Sequence, residues 1–331
     1  MGGVKQPWPY GKTCLAACLL VLGGSLALTS CEGDAFTKVV DVDLDTPEPI
    51  PVLYADWSTA DTVLQVFVSE TVGALSDTLA RPLAGVQVVA LLDGEATDVF
   101  DEVPIRFSSG FNAGGGQAYY YVHTLDEPLR AGTDVQVTAT LPDGRALSAR
   151  DQFPEQVHIE PGRFEPPTFD TIDFGDGSLS ITQRGGAVSL LVNDPGGVAN
   201  YYRFAVDVEY RDSVDFRPAY STELYAVEED TRWTRTYGGR ILRDLSFDGS
   251  RVEVDFEPDV FGFGGAVDST ARYLAFARLY TEAAFLYLRD RSALDESEFN
   301  PFAEPVVLSS NVDGGLGHLL LHSESERVEL R

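Results

Sequence analysis

The chain offers four histidines for imidazole chemistry, at 123, 158, 318 and 322. His318 and His322 have H-x3-H spacing, which on a helix would stack two imidazoles and chelate zinc. They lie in GLGHLLLHS, an apolar run after glycines that reads as a strand. Residues four apart on a strand share a face but stand about 13 Å apart, so no metal is expected there. A serine nucleophile would want a Gly-flanked elbow, and no G-x-S-x-G occurs. Paired carboxylates can cleave glycosidic bonds, but the 52 acidic residues single out no pair. Asp41, Asp43 and Asp45 have the D-x-D-x-D start of a calcium loop without its sixth-position glycine or its distal glutamate. Alternation with Val40, Val42 and Leu44 lines them along a strand instead. GFNAGGGQ (110–117) lacks the lysine and following helix of a phosphate loop, and it reads, like VFGFGGAVD (260–268), as a hairpin tip. Trp57 and Trp233 leave room for one sugar-stacking platform. No catalytic set, cofactor site or metal site emerges, and the chain reads as non-enzymatic.

The thiol of Cys31 is different, because its surroundings assign it a chemistry. Lys5 and Lys12 precede CLAACLLVLGGSLAL (14–28), an apolar run too short for the roughly twenty residues of a membrane span. Charge, apolar core and small residues in that order describe a secretory signal peptide. Its end, Leu28-Thr29-Ser30-Cys31, resembles the bacterial lipobox, whose cysteine becomes the first mature residue and carries fatty acyl chains such as palmitate. Residues 1–30 are then the lipoprotein signal peptide, and Cys14 and Cys18 leave with it. No disulfide is possible in the mature chain, so the fold must hold by its core. Two or three acyl chains make a stable anchor.

The formal net charge is −28. Without Lys5 and Lys12 the mature chain sets 22 Lys+Arg against 52 Asp+Glu, which gives −30, and Lys38 is its single lysine. Such a chain repels nucleic acid. The carboxylates are spread along the sequence, which favours solvated acidic faces over a cation-binding surface. A hydrophobic content of 44% excludes a disordered polyanion.

The elements that must position any site are strands. TVLQVFVSET alternates, LAGVQVVALLDGE runs into an Asp93-Gly94 turn, and TDVQVTATLPDGRALSA reads as a hairpin about Pro142-Asp143-Gly144. Further on, AVSLLVNDPGGVANYYRFAVDVEYRD reads as two long strands about Asp194-Pro195-Gly196-Gly197. One segment, TEAAFLYLRDRSALDESEF, has Thr281 as N-cap and Ala284, Phe285 and Leu288 at helical spacing. The fold class is mainly β: an N-terminal immunoglobulin- or transthyretin-like β-sandwich followed by a second β-rich domain with one main helix. The expected divisions are a tether at 31–37, the sandwich at 38–157, a Pro-rich linker at 158–170 and the C-terminal domain at 171–331.

Four features together resemble a known family, the Bacteroidota lipoproteins with domain of unknown function 4249. They are the lipobox followed by V-x-V-D-L-D-x-P, the block LRAGTDVQVTATLPDGRALSA, the motif NDPGGVANYYRF, and NPFAEPVVLSSNVDGGLG near the C-terminus. The last departs from the family pattern after its glycines, where a small or aromatic residue is expected in place of His318. The resemblance implies an outer-membrane lipoprotein, in organisms that pair such proteins with TonB-dependent barrels, and no established activity. Glu32 and Asp34, just behind Cys31, resemble the export signal that sends such lipoproteins to the cell exterior. The expected function is therefore a lipid-anchored, surface-exposed binding or accessory protein. Its partner would be the membrane and a TonB-dependent barrel or another envelope protein. The alternatives are a hydrolase of surface polymers and a structural envelope component.

Overall fold

Alternating apolar and polar residues turn most of this chain into strands, because a period of two lets one face of each strand reach a core. The computed structural model describes residues 48–72, 81–106, 117–165, 168–173, 179–184, 187–212, 215–226, 232–257, 272–297 and 306–331. Its first strands are β1 (Pro51–Ser58), β2 (Val63–Glu70), β3 (Arg81–Pro82), β4 (Gln87–Leu92), β5 (Glu95–Ala96) and β6 (Asp101–Arg106). There follow β7 (Gln117–Thr124), β8 (Asp134–Thr140), β9 (Ala146–Gln152), β10 (His158–Glu165), β11 (Thr168–Asp173) and β12 (Leu179–Arg184). Next come β13 (Ala187–Asn193), β14 (Tyr201–Asp212), β15 (Asp215–Glu223), β16 (Tyr225–Ala226), β17 (Trp233–Thr236) and β18 (Gly239–Arg243). The described chain ends with β19 (Arg251–Glu257), β20 (Arg272–Tyr280), helix α1 (Glu282–Ser297), β21 (Val312–Asp313), β22 (Leu316–Glu324) and β23 (Val328–Leu330).

The largest sheet has 12 strands and follows the path β17-β18-β14-β20-β22-β1-β2-β7-β6, with β15, β23 and β3 paired off it. The other described strands form a five-stranded sheet (β21-β9-β8-β4-β5), a four-stranded sheet (β10-β13-β19-β16) and the β11-β12 pair. The first core lies between the large and the five-stranded sheet. There Leu53, Trp57, Val66, Leu319 and Leu321 meet Val88, Val137 and Leu147. The second joins Tyr202, Phe204, Val206 and Leu279 of the large sheet to Ile159, Leu190, Val192 and Val254 of the four-stranded one. Burying each such large side chain contributes about 1.5–3 kcal/mol. Trp57 is buried in the first core, and Trp233 packs edge-on against Phe204 and Phe256. Neither is the exposed platform that a sugar would stack on.

Side chains of the other phase in β14 and β22 point to the opposite face, and α1 covers it. Tyr201 stacks on Phe285 with ring centroids 4.5 Å apart, and Ile241, Tyr280 and Leu320 close around Ala284 and Leu288. The helix starts where expected, with the Ala284 amide donating to the Thr281 hydroxyl at 3.3 Å.

The chain is mainly β, with α1 the one helix among the described residues. The Asp93-Gly94 turn between β4 and β5 has φ of 52° and 84°, as a type I′ hairpin requires. Residues 158–165, expected within a linker, instead form β10 against β13. Pro161 is tolerated because β10 is an edge strand and its register shifts between Pro161 and Phe164. The strands flanking Asp194–Gly197 do not pair with each other, since β13 lies in the four-stranded sheet and β14 in the large one. That turn is a corner between sheets. Strand β22, from the far half of the sequence, pairs in parallel with β1, Val52↔Leu316 through Ser58↔His322. Cys31, Glu32, Asp34, the Asp41–Asp45 alternation, residues 110–116 and the stretch 260–268 lie outside the described residues.

Candidate binding cleft at His318

Where α1 leaves the face of the large sheet, a cleft of about 380 Å³ opens. One wall is β9, with Arg150 and Asp151. Another is the first turns of α1, with Glu282, Ala283 and Leu286. The segment Ser309–Asn311 and His318 of β22 complete it. Each wall follows from local sequence. In β9 the inward phase runs Leu147, Ala149, Asp151, so an acid continues a row of apolar side chains. The Ser309–Asn311 segment is laced to β22 by side chains. Asn311 Nδ2 donates to Leu319 O and its Oδ1 accepts from the Leu319 amide, both at 2.9 Å, while Ser310 Oγ donates to Gly317 O at 3.0 Å. The Ser309 amide donates to Asp290 Oδ2 at 3.1 Å, which ties the segment to the helix.

Two polar atoms of these residues, Asp151 Oδ2 and His318 Nδ1, are closed to solvent and have no hydrogen-bond partner, while the Ser309 side chain leans on the Asp290 carboxylate. Each such atom costs about 1–3 kcal/mol. The imidazole of His318 is 5% exposed and lies against the Tyr287 ring, centroids 4.0 Å apart. Burial pushes it down to about 4, against the pull of the Asp290 carboxylate, so it is neutral at physiological pH. Burial also raises the Asp151 carboxyl above its ordinary value, partly offset by hydrogen bonds from Thr281 and the Gln152 amide. Asp290 is half-buried, but hydrogen bonds from Arg289 and Ser309 outweigh the desolvation and hold its carboxyl below the usual range. The cleft thus combines neutral and anionic hydrogen-bonding groups with the apolar surface of Ala283 and Leu286.

His318 and His322 do lie on a strand and on one face of it. His322 stacks on Tyr280 and stands 3.5 Å from Asp56 Oδ1 without hydrogen-bond geometry. The two histidines face different surroundings and form no chelate. His123 packs on Phe100, and His158 lies on the surface near Glu160. Ser309 and Asp151 went unnoticed in the sequence. The available signals were an acid in the inward phase of β9 and the polar Ser309-Ser310-Asn311 inside an apolar stretch.

A second concentration of acid lies at the sheet corner, where carboxylate oxygens of Asp194, Asp244 and Asp248 come within 4.8 Å of one another. Asp244-Leu245-Ser246-Phe247-Asp248-Gly249 carries the opening D-x-x-x-D-G of a calcium loop. In the fold these oxygens already accept hydrogen bonds that fasten the two turns. Asp194 takes the Gly249 amide at 2.8 Å, the Asn200 side chain at 3.1 Å and the Tyr202 hydroxyl. Asp248 takes the Gly197 amide at 2.7 Å and Asp244 the Asn200 amide at 2.8 Å. The cluster is a corner clamp with carboxylates to spare, and it is the described set best able to hold a divalent cation. A larger hollow of about 710 Å³ near Tyr237 is lined by charged surface groups such as Arg235 and Glu296, which pair at 3.3 Å.

Two β-sheets backing one long sheet, with a helix on its far face, define a β-rich protein built around two cores. The chain belongs to the family described as Domain of unknown function (DUF4249), whose model matches residues 37–327. No curated protein and no solved structure matches it.

Proposed function

We propose that this protein is a lipid-anchored outer-membrane lipoprotein of the Bacteroidota type, displayed on the cell exterior, that binds a ligand through the His318 cleft without transforming it. The observation that carries the reading is a cleft in which the imidazole of His318 and the polar groups of Arg150, Asp151, Glu282, Ser309 and Asn311 border the apolar surface of Ala283 and Leu286. Apolar surface with a few convergent polar groups is what small-ligand sites are made of, and about 380 Å³ lies at the lower end of their range. The lipobox at Cys31 supports the anchor, and Glu32 and Asp34 support surface display. A TonB-dependent barrel is the envelope partner such a protein would serve. One observation favours the hydrolase alternative, since a serine, a histidine and an acid share the cleft. Against it, a serine nucleophile works through a hydrogen bond to its base, and Ser309 Oγ makes none to His318. Covalent labelling of Ser309 by a fluorophosphonate would reverse the preference.

The test compares cells carrying wild type, Cys31→Ser and Ala283→Trp. The indole at 283 fills the cleft from the helix side. Wild type is expected in the membrane fraction, open to protease on intact cells, and after mild detergent extraction it should retain a non-covalent ligand mass in native mass spectrometry. Cys31→Ser should leave the membrane fraction, and Ala283→Trp should stay there without the ligand mass. Membrane retention of Cys31→Ser sinks the anchor. An equal ligand mass on Ala283→Trp sinks the cleft.

A further inference from the structure

We propose that the outward face of the large sheet over β2, β7 and β6 is a docking surface for a basic amphipathic helix of a partner protein. Strand register builds this face. His318, Tyr54, Phe67, Tyr120 and Val103 pair each with the next across β22, β1, β2, β7 and β6, so they form one row on one side of the sheet. Helix α1 packs on the first end of the row, where the Tyr287 ring lies 4.0 Å from that of His318 and 6.2 Å from that of Tyr54. Past Tyr54, the half-buried rings of Phe67 and Tyr120 lean on each other at 5.6 Å. Val103 and Val63, in the same phase, are 40% and 41% exposed.

The charge of the partner follows from a comparison within the same face. Tyr280 pairs with His322, which is in phase with His318, so Tyr280 and Phe276 belong to this face too. There Phe276 lies under the guanidinium groups of Arg278 and Arg327, and Tyr280 under that of Arg203. The same arginines pair with Glu324, Asp207 and Glu223. Each cation serves a ring and a carboxylate at once, since both attract it. Phe67 and Tyr120 keep similar acidic company, because Asp56 continues the phase of Tyr54 and Asp101 that of Val103. Among the described residues no arginine or lysine lies over these two rings, and Asp56 has only the neighbouring His322. The complementary cation is left for a partner to supply. A helix suits the place, because an element lying across a sheet face must satisfy its own backbone hydrogen bonds, as α1 does beside it. Basic residues on its flanks would meet Asp56 and Asp101, and its apolar stripe would settle on Phe67, Tyr120 and Val103.

Photo-crosslinking in the native cells reads the chemistry of the partner directly. The full chain carries p-benzoylphenylalanine in place of Tyr120, and a comparison chain carries it in place of Leu245, which is 71% exposed at the sheet corner. Irradiation of intact cells is expected to join position 120, and not position 245, to one protein. The cross-linked peptide, sequenced by mass spectrometry, should carry arginine or lysine beside apolar residues at helical spacing. Asp56→Asn with Asp101→Asn should lower the yield at least about tenfold, and Asp56→Arg with Asp101→Arg should lower it further. The asparagine pair removes charge at constant shape, so it decides the matter even where the arginine pair fails to fold. An acidic cross-linked peptide, a lipid, a glycan or a second copy of this chain at position 120 overturns the proposal. So does the absence of any adduct there, or a yield indifferent to the charge at 56 and 101. The His318 cleft is judged separately, by the ligand mass retained in the detergent extract.

Discussion

His318 is a neutral base held in a wall that has little room for its proton. Its imidazole titrates near 4 in the fold and near 6.5 when unfolded. Between those values the unfolded chain binds a proton that the folded chain does not. Stability from this residue is therefore complete above about pH 6.5 and is lost as pH falls toward 4. At pH 5 the loss amounts to about 2 kcal/mol. Asp151, Glu223 and Asp244, whose carboxyls are raised by burial, act with the opposite sign: they favour the fold as pH falls. Only the difference between two variants isolates the histidine. Urea melts at pH 7.5 and pH 5 should show wild type losing about 2 kcal/mol more than His318→Gln, and parallel losses would place a titrating imidazole in the open.

At the scale of elements, the tightest constraint is the parallel seam between β1 and β22. Gly317 has φ of 121°, and a Cβ there would run into the backbone oxygen of Leu53; Gly315 meets Pro51 O and Gly314 meets Ala146 O in the same way. Gly317→Ala should cost about 3–5 kcal/mol, the size reserved for strain in a packed core. A change in denaturation midpoint corresponding to less than 1 kcal/mol would show that the seam opens easily. The sequence marks these glycines as a bend into the last strand, but not the backbone they lie against, because that backbone belongs to strands more than a hundred residues away. The same limit explains the rest. Alternation, the Asp93-Gly94 turn and the Thr281 cap are local and were legible. The β10 strand hid behind Pro161, since an edge position becomes visible only when the sheet is assembled. The corner at Asp194 reads as a tight turn between two long strands until Asn200, Tyr202 and Gly249 are seen to claim its carboxylate. The cleft escaped for the same reason, because Asp151, Ser309 and His318 meet only through the fold.

For the whole molecule, charge is the dominant long-range force. Exposed pairs such as Arg163–Glu165, Arg251–Glu160 and Arg327–Asp207 are each worth about 0–1 kcal/mol and weaken with salt. Against them stands the excess of 52 acids over 24 basic residues. That repulsion acts over the whole surface and is screened beyond about 8 Å at physiological ionic strength. Repulsion should win, so the melting temperature is expected to rise between 50 mM and 1 M sodium chloride in scanning calorimetry. A falling curve would mean that the arginine pairs outweigh it.

The partnership of β1 with β22 also sets a timetable. Their paired residues Val52 and Leu316 are 264 positions apart, and Leu319 and Leu321 fill the core that Leu53 and Trp57 begin. Closing so long a loop is slow, because its entropy must be lost before any contact compensates. A chain delivered from its N-terminus cannot seal its first half while the far strand is still to come. It stays unsealed for the whole of its synthesis, and the leading half becomes a finished object only when the trailing end arrives.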